Sequence, residues 1–244
     1  MNIMHAAVLN AFEQPLVLSE VARPVAGHGQ VLVRIAASGV NPLDTKIVAG
    51  KAGHAQARLP AILGIDMAGV VEAAGEGVIG FAPGDEVYGM TGGIGGVQGS
   101  LAQYAAVDAE LLAHKPRSMD MRAAAALPLV FITAWEGLVD RAHVGVGMKV
   151  LVHGGAGGVG HIAVQLARSL GAEVYATGSA RQRAMIQGYG ATFIDYETTS
   201  VDDYVQRVTA TAKELVRRRY LLEEDLDAIV DRAKSHWIFA TGGK

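Results

Sequence analysis

The first half of the chain, from His5 to about Val107, has short apolar, often β-branched runs separated by Gly, Pro, Asn and Asp. Among the clearest runs are Val31–Ile35, Ala68–Glu72 and Glu86–Tyr88. Short runs of this kind, bounded by turn-forming residues, are typical of strands. The pattern therefore predicts a β-rich N-terminal region.

Beyond Pro116, helical apolar spacing alternates with short, fully apolar runs, which is typical of strand–helix–strand units. Lys149–His153 is predicted to be a buried parallel strand. Apolar residues then recur at helical spacing from Val159 to Leu170, and Gly171 stands where a C-terminal cap belongs. The next predicted elements are the strand Glu173–Thr177, the short helix Arg181–Gln187 and the strand Thr192–Tyr196. The order β-α-β-α-β predicts an α/β region.

Composition excludes several classes of function. The 244 residues include 21 Lys plus Arg and 24 Asp plus Glu, so the net charge of -3 provides no basic field for nucleic acid or an anionic membrane. The chain has no Cys, which excludes disulfides, thiolate nucleophiles and thiolate zinc sites.

Membrane insertion and secretion are not expected either. The longest apolar stretch, Ala123–Val139, contains Pro128 and Glu136 and falls short of the roughly 20 apolar residues that a membrane span needs. We expect it to be buried in the protein. The N-terminus lacks the pattern of a signal peptide, so the expected location is the cytoplasm.

A glycine-rich segment lies between the strand Lys149–His153 and the helix that follows it. Its residues are Gly155, Ala156, Gly157, Gly158, Val159 and Gly160, which fit G-x-G-x-x-G. In a dinucleotide-binding loop the first glycine permits a tight turn, the second lets the backbone approach a pyrophosphate, and the third allows close helix packing. The helix N-terminus adds N–H groups and a positive dipole. The setting favours dinucleotide binding over a merely tight connection.

Two other glycine-rich segments act as controls. Gly75–Gly80 fits the same spacing, but Phe81–Gly84 follows it and no helix can begin there in register. We therefore predict a turn between strands. Gly92–Gly96 also precedes no amphipathic helix and lacks the ending of a P-loop, so it is predicted to be a mobile loop.

The end of the second predicted strand indicates which dinucleotide is bound. NAD-binding proteins place an Asp or Glu there for the ribose 2'-hydroxyl, whereas this chain has Gly178 and Ser179. Arg181 and Arg183 are close enough in sequence to bind a 2'-phosphate through charge-assisted hydrogen bonds. The alternative is that both arginines are solvated on a short helix. We predict NADPH as the cofactor.

Five segments in order resemble the zinc-independent quinone oxidoreductase branch of the medium-chain dehydrogenase/reductase superfamily, over most of Met4 to about Val208. They are Gly39–Asp44 (G-V-N-P-x-D), Gly64–Gly69 (G-x-D-x-A-G), Gly84–Gly89, Leu127–Leu129 with Thr133–Trp135, and the Gly155 loop. The resemblance implies an α/β protein with a GroES-like β-rich domain at 1–122 and a Rossmann-type domain, incomplete here, whose NADPH-binding half is 123–210. It also implies hydride transfer from NADPH to a quinone or an electron-poor alkene, and leaves a homodimer possible.

Zinc-dependent relatives carry a Cys in the first segment and Gly-His-Glu in the second, where this chain has Asn41 and Ile65-Asp66. The resemblance therefore implies chemistry without a metal. It suggests that Asn41 and Thr133 hold the nicotinamide or the substrate, and that Tyr196 lies near the adenosine 2'-phosphate.

Each of these side chains also has a structural interpretation. Asn41 could start a turn, Thr133 could be an ordinary helix residue, and Tyr196 could belong to the core. Asp44 and Asp66 could act as acid or base, but lone carboxylates beside turns are usually caps or solvated groups, so no proton donor is assigned. His153 and His161, which flank the glycine loop without an identifiable partner, are predicted to be structural.

The tail, 211–244, carries no motif of the family. Ala212–Tyr220 and Glu223–Lys234 are predicted to be helices, the second with a modest apolar stripe that could cover a sheet edge. His236–Ala240 could supply a final strand. Three functions remain open: an active NADPH-dependent reductase, a truncated form that binds only the adenosine portion, and a non-catalytic protein whose tail helices recruit a partner.

Overall fold

The structure is a computed structural model that describes residues 2–196, 198, 201–219 and 221–241. It divides into two compact units, Met1–Val130 and Phe131–Lys244. No helix among the described residues is long and apolar enough to cross a membrane.

The first unit contains two antiparallel sheets, with strand orders β2-β1-β4 and β7-β3-β5-β6-β8. The strands are β1 Ile3–Leu9, β2 Val17–Ala22, β3 Gln30–Gly39, β4 Ala61–Ile62, β5 Asp66–Ala74, β6 Glu86–Met90, β7 Tyr104–Asp108 and β8 Leu112–His114. The predicted strands Val31–Ile35, Ala68–Glu72 and Glu86–Tyr88 are thus confirmed as parts of β3, β5 and β6.

Alternation along these strands builds the core of the larger sheet. Val31 and Val33 of β3 are fully buried together with Met67 and Val71 of β5 and Val87 of β6. Two short helices, α1 Pro42–Val48 and α2 Met121–Ala125, complete the regular structure of this unit. Pairing of β3 with β5 brings Gly39 opposite Asp66, although 27 positions separate them in the chain.

The second unit contains a three-stranded parallel sheet of order β11-β10-β9. Its elements are β9 Lys149–Val152, α4 Gly158–Ser169, β10 Glu173–Gly178, α5 Arg183–Gly188, β11 Thr192–Asp195, α6 Val201–Arg217 and α7 Leu226–Thr241. The predicted order β-α-β-α-β is confirmed. Val164, Ala167, Val174, Ala176 and Ile186 form the centre of its core.

Helix α3, Pro128–Trp135, continues directly into a π-helical turn, Glu136–Arg141. The expectation that this apolar stretch is buried is wrong in part. Ala134 packs in the core, but Phe131, Ile132 and Trp135 are 41–45% exposed. A single helix buries one face, and the composition of this one is apolar on its other face as well.

The tail departs from its prediction at both ends. The first helix begins at Val201 instead of Ala212, and its predicted last residue, Tyr220, lies outside the described residues. The proposed strand over His236–Ala240 is wrong because these residues continue α7. The reason is packing: Trp237 is 1% exposed and stacks on Tyr204 of α6, with 4.4 Å between ring centroids. A helical tail places that indole against the preceding helix.

The tail also lies against a face of the parallel sheet instead of covering an edge. A mainly apolar cavity of about 470 Å³ is lined by Leu151, Tyr175 and Ile194 from the three strands and by residues of α6 and α7. His153, at the end of β9, accepts or donates a 3.1 Å hydrogen bond to the Tyr204 hydroxyl. His153 therefore has a structural partner that the sequence did not reveal.

Candidate functional site

The glycine loop is attached to the end of strand β10. Gly154, with φ of 66°, makes the turn after β9, and its N–H donates to Thr177 Oγ1 at 3.0 Å. The N–H of Gly155 donates to the Thr177 carbonyl oxygen at 2.9 Å. Thr177, which sequence reasoning passed over, is therefore the residue that fixes the loop to the sheet.

The three glycines of the motif have different physical roles. A Cβ on Gly155 would lie 2.6 Å from Cβ of Ala176, and a Cβ on Gly160 would lie 2.1 Å from the Gly154 carbonyl oxygen. Gly155 and Gly160 are thus required by packing. The prediction that the first glycine makes the tight turn is wrong, because Gly154 has the positive φ.

Gly157 is different because it is exposed and fewer atoms surround its Cα than surround those of Gly155 and Gly160. A Cβ there would meet only the Gly154 carbonyl oxygen, at 3.2 Å. Gly157 is the N-cap of α4, so the N–H groups of Gly158, Val159 and Gly160 are the first-turn donors that an α-helix leaves without a partner in the helix. Unpaired backbone donors at an accessible helix N-terminus are the features that phosphate-binding loops share.

His161 belongs to this helix start. Its Nδ1 donates to the Gly157 carbonyl oxygen at 2.9 Å, since a carbonyl oxygen can only accept. The contact closes the first turn of α4, which agrees with the structural role predicted for His161.

The residues predicted for the adenosine end lie at the carboxyl ends of β10 and β11. Ser179 is buried and forms a capping box with Gln182. The N–H and the hydroxyl of Ser179 donate to Gln182 Oε1 at 3.0 Å and 3.1 Å respectively. The half-buried Tyr196 donates its N–H to the Gly178 carbonyl oxygen at 3.3 Å. Parallel pairing thus brings Ser179 and Tyr196 to the same edge.

The two arginines are exposed at this edge. The Arg183 guanidinium lies 4.6 Å from the centre of the Phe193 ring, which holds it by a cation–π contact. Arg181 lies in the 3₁₀ turn Ala180–Gln182. Asp195, opposite Gly178 in the sheet register, is a buried carboxylate that sequence reasoning did not consider.

A second candidate site is a buried polar cluster in the first unit, where β3 ends and β5 begins. Asn41, Asp44 and Asp66 are respectively 6%, 4% and 1% exposed. Asp44 Oδ2 accepts from the Asn41 N–H at 2.8 Å, and its Oδ1 accepts from the Gly64 N–H at 3.0 Å. Asp44 is therefore the N3 acid in the capping box of α1, whose N-cap is Asn41, and a capping role was one of the interpretations open for it.

Asp66 is not the solvated carboxylate that was the other possibility. Its Oδ2 accepts from Asn41 Nδ2 at 3.0 Å and its Oδ1 accepts from the Leu129 N–H at 3.0 Å. Its main-chain oxygen accepts from the Ser100 hydroxyl at 2.8 Å. Burial raises the pKa of Asp66 above its ordinary value of 3.8, the hydrogen bonds lower it, and the nearby Asp44 charge raises it.

Thr133 is exposed on α3, four residues after Leu129. It is therefore one turn along the helix whose first turn donates to Asp66. The described residues contain no group of three or more His, Asp or Glu side chains arranged to hold a metal ion.

The chain resembles known proteins over most of its length. The family called alcohol dehydrogenase GroES-like domain matches residues 27–117. The chain is 41% identical over 192 residues to a 2-methylene-furan-3-one reductase of Solanum lycopersicum, covering 76% of this chain and 49% of that protein. It is 39% identical over 192 residues to the chloroplastic NADPH-dependent alkenal/one oxidoreductase of Arabidopsis thaliana, covering 76% and 50%. A quinone oxidoreductase of Pongo abelii is 30% identical over 94% of this chain and 66% of its own length.

The chain also resembles solved structures of alcohol dehydrogenase-like proteins. An alcohol dehydrogenase superfamily protein from Novosphingobium aromaticivorans is 55% identical, with a TM-score of 0.82 over 86% of this chain and 63% of that one. A cobalt- and zinc-bound thermostable alcohol dehydrogenase from Pyrobaculum aerophilum is 34% identical, with a TM-score of 0.72 over 81% and 67%.

A GroES-like region followed by a parallel sheet with a glycine loop defines an alcohol dehydrogenase-like protein. The chain belongs to the medium-chain dehydrogenase/reductase superfamily. It spans about half the length of the first two curated relatives.

Proposed function

We propose that the protein is an NADPH-dependent oxidoreductase that reduces a quinone or an electron-poor alkene without zinc. The observation that carries the proposal is the open cradle at Gly157, between the end of β9 and the first turn of α4. The residues there fit the pyrophosphate of a dinucleotide, because a side chain would fill the space that Gly157 leaves open.

The pyrophosphate would be held by the glycine loop, which consists of Gly155, Ala156, Gly157, Gly158, Val159 and Gly160. The N–H groups of the first turn of α4 would donate to its oxygens, and the positive end of the helix dipole would favour its charge. Gly155 and Gly160 would act indirectly, because they let the loop pack against Ala176 and Gly154.

Recognition of the 2'-phosphate is assigned to Arg181 and Arg183, with Ser179 and Tyr196 beside them. The strand end next to Ser179 carries no acid, and both guanidinium groups are exposed to solvent near it. The relative from Arabidopsis thaliana is named as NADPH-dependent, which supports the same choice. The burial of the Ser179 hydroxyl in its capping box makes the arginines the main determinants.

The acceptor class is supported by what the relatives are named for: a furanone with a methylene group, alkenals and alkenones, and quinones. Bound NADPH supplies a hydride to such a conjugated acceptor. Asn41 and Thr133 are proposed to hold the nicotinamide or the acceptor. Zinc independence is supported by Asn41 standing where zinc-dependent relatives carry Cys.

A second candidate, a form that binds only the adenosine portion, is favoured by one observation. The glycine loop and the residues assigned to the adenosine end, Ser179 and Tyr196, belong to one three-stranded parallel unit, β11-β10-β9. A titration with NADPH, NADH and 2',5'-ADP distinguishes the candidates. Tighter binding of NADPH than of 2',5'-ADP supports a nicotinamide site, equal binding supports the second candidate, and binding of none excludes both.

Catalysis is tested by NADPH oxidation with a small quinone and with a small enone. The variant R181Q/R183Q should weaken NADPH binding about 10-fold or more and leave NADH binding unchanged, because only the 2'-phosphate contacts are lost. R168Q is a matched control, since Arg168 belongs to the far end of α4 and donates to the Ala172 carbonyl oxygen. An equal loss for NADPH and NADH would contradict the assignment.

A further inference from the structure

We propose that Asp66 is a positioning residue that fixes the orientation of the Asn41 carboxamide. The inference rests on the proposed function, because it gives Asn41 its place against the nicotinamide or the acceptor. Asp66 itself would touch neither, since it is 1% exposed and both of its carboxylate oxygens accept from groups of the protein.

Strand pairing brings the two side chains together. Asp66 is the first residue of β5 and lies opposite Gly39, the last residue of β3, two positions before Asn41. A Cβ on Gly39 would lie 2.9 Å from Cβ of Asp66 and 2.5 Å from the Ala125 carbonyl oxygen. Gly39 thus permits the close approach that the Asn41–Asp66 hydrogen bond needs.

The backbone of Asn41 is held independently by Asp44, whose other oxygen accepts from Gly64. The Asn41 side chain also belongs to the capping box of α1, where it faces the N–H of Asp44, and its Nδ2 makes the hydrogen bond to Asp66. A carboxylate oxygen can only accept, so the end of the Asn41 amide that faces Asp66 must be Nδ2. The amide oxygen is then turned away from Asp66 and is fixed as an acceptor at the other end.

The same carboxylate holds the start of α3. Asp66 Oδ1 accepts from the N–H of Leu129, one of the donors that the first turn of a helix leaves unpaired. Thr133 follows one turn later on this helix. One side chain therefore holds both the Asn41 amide and the first turn of α3.

A purely structural role does not require a carboxylate here. No Lys, Arg or His among the described residues pairs with Asp66, and the titratable neighbour that acts on it is Asp44, of the same charge. Keeping a charge in such a site is costly, and a neutral side chain could serve packing alone. What a carboxylate adds is two acceptor atoms and no donor, which is the property that forces the amide orientation.

The direct test is NMR of the Asn41 side-chain NH2 group in 15N-labelled protein, with the N41S variant used to assign its signals. In D66N, the carboxamide that replaces the carboxylate presents one acceptor oxygen and one donor nitrogen, so one of the two hydrogen bonds is lost. We expect the Asn41 NH2 signals to move, and to return towards their original position in D66E, which restores two acceptors. D85N is the control, because Asp85 makes the same kind of contact with the Ala82 N–H in an exposed turn.

The kinetic expectation is a fall in kcat of about 10-fold to 100-fold in D66N, the usual result of misplacing a reacting partner. The KM for NADPH should stay within about 2-fold, because the glycine loop is unchanged. If D66N does not fold, acidification of the unaltered protein replaces it: protonation of Asp66 should move the same NH2 signals.

Unchanged Asn41 signals in folded D66N, or on acidification through the titration of Asp66, would overturn the proposal. The NMR result does not depend on turnover. If the signals respond as expected but the protein reduces neither quinone nor enone, then the proposed function fails and the positioning contact stands. If the protein turns over and D66N retains full kcat, then the positioning role is wrong and the proposed function stands.

Discussion

Two segments of this chain fit the same glycine spacing, and the structure gives them opposite surroundings. Gly155–Gly160 connects a parallel strand to a 12-residue helix, whereas Gly75–Gly80 is a turn between the antiparallel strands β5 and β6. In the turn, Gly77 and Gly80 have φ of 80° and 92°, so backbone conformation requires these two glycines, whereas packing requires Gly75, whose Cβ would lie 1.9 Å from the Gly27 carbonyl oxygen. In the loop, Gly155 and Gly160 are required by contact with neighbouring atoms, and Gly157 by neither.

Glycine spacing therefore carries little information by itself. The same spacing serves a turn that needs two positive-φ glycines and a loop that is proposed to hold a nucleotide, and packing requires glycines in both. Substitution by alanine separates these causes, because an added methyl group tests space and conformation at the same time.

The largest expected difference between the two segments is in the free energy of unfolding when the last glycine of each is replaced by alanine. G160A places a methyl group 2.1 Å from a backbone oxygen that cannot rotate away, so we expect a loss of about 3 kcal/mol in the free energy of unfolding. G80A meets no atom within 4 Å and bears only the strain of its positive φ, about 1 kcal/mol. Urea denaturation followed by circular dichroism compares them. Equal losses would mean that packing does not distinguish the segments.

The next largest expected difference is in NADPH affinity when the middle glycine of each segment is replaced by alanine. G157A adds a methyl group to the open side of the loop, so NADPH affinity should fall about 10-fold or more while stability changes by less than about 1 kcal/mol. In G77A the methyl group would lie 2.8 Å from the His28 ring, and NADPH affinity should not change. Fluorescence titration of NADPH gives both affinities, and full affinity in G157A would remove the cradle assignment.

The smallest expected effect is a pH dependence of stability. It concerns the buried cluster of the first unit and does not involve the glycine loop of the second. Burial raises the pKa of Asp66 in the folded protein above its ordinary value of 3.8, so the folded state holds the proton to a higher pH than the unfolded state does. Folding is then favoured at acid pH, and this contribution is lost as pH rises through that interval.

Relative to D66N, the unaltered protein should therefore gain free energy of unfolding as pH falls through the interval between the two pKa values, and show a constant difference at higher pH. Urea denaturation of both proteins across this range measures the difference. A difference that grows in the other direction would mean that Asp66 titrates below its ordinary value in the folded state.

The sequence predicted most of what local pattern determines. The strands β3, β5 and β6, the unit β9 to β11, and the glycine loop all follow from periodicity and turn residues. The tail strand failed because Trp237-Ile238-Phe239 is too short a run to distinguish strand from helix, and the burial of Trp237 depends on Tyr204, 33 positions earlier. The contact of Asp66 with Asn41 depends on the pairing of β3 with β5, which no local pattern reveals.

The open side of Gly157 has a consequence for how proteins of this kind diverge. A change at Gly155 or Gly160 disturbs the fold, so selection for a folded chain alone would retain both glycines. A change at Gly157 is expected to disturb the fold less and to close the proposed cradle. Among descendants of this chain, Gly157 is therefore the loop position whose loss would record that a lineage had stopped using a dinucleotide.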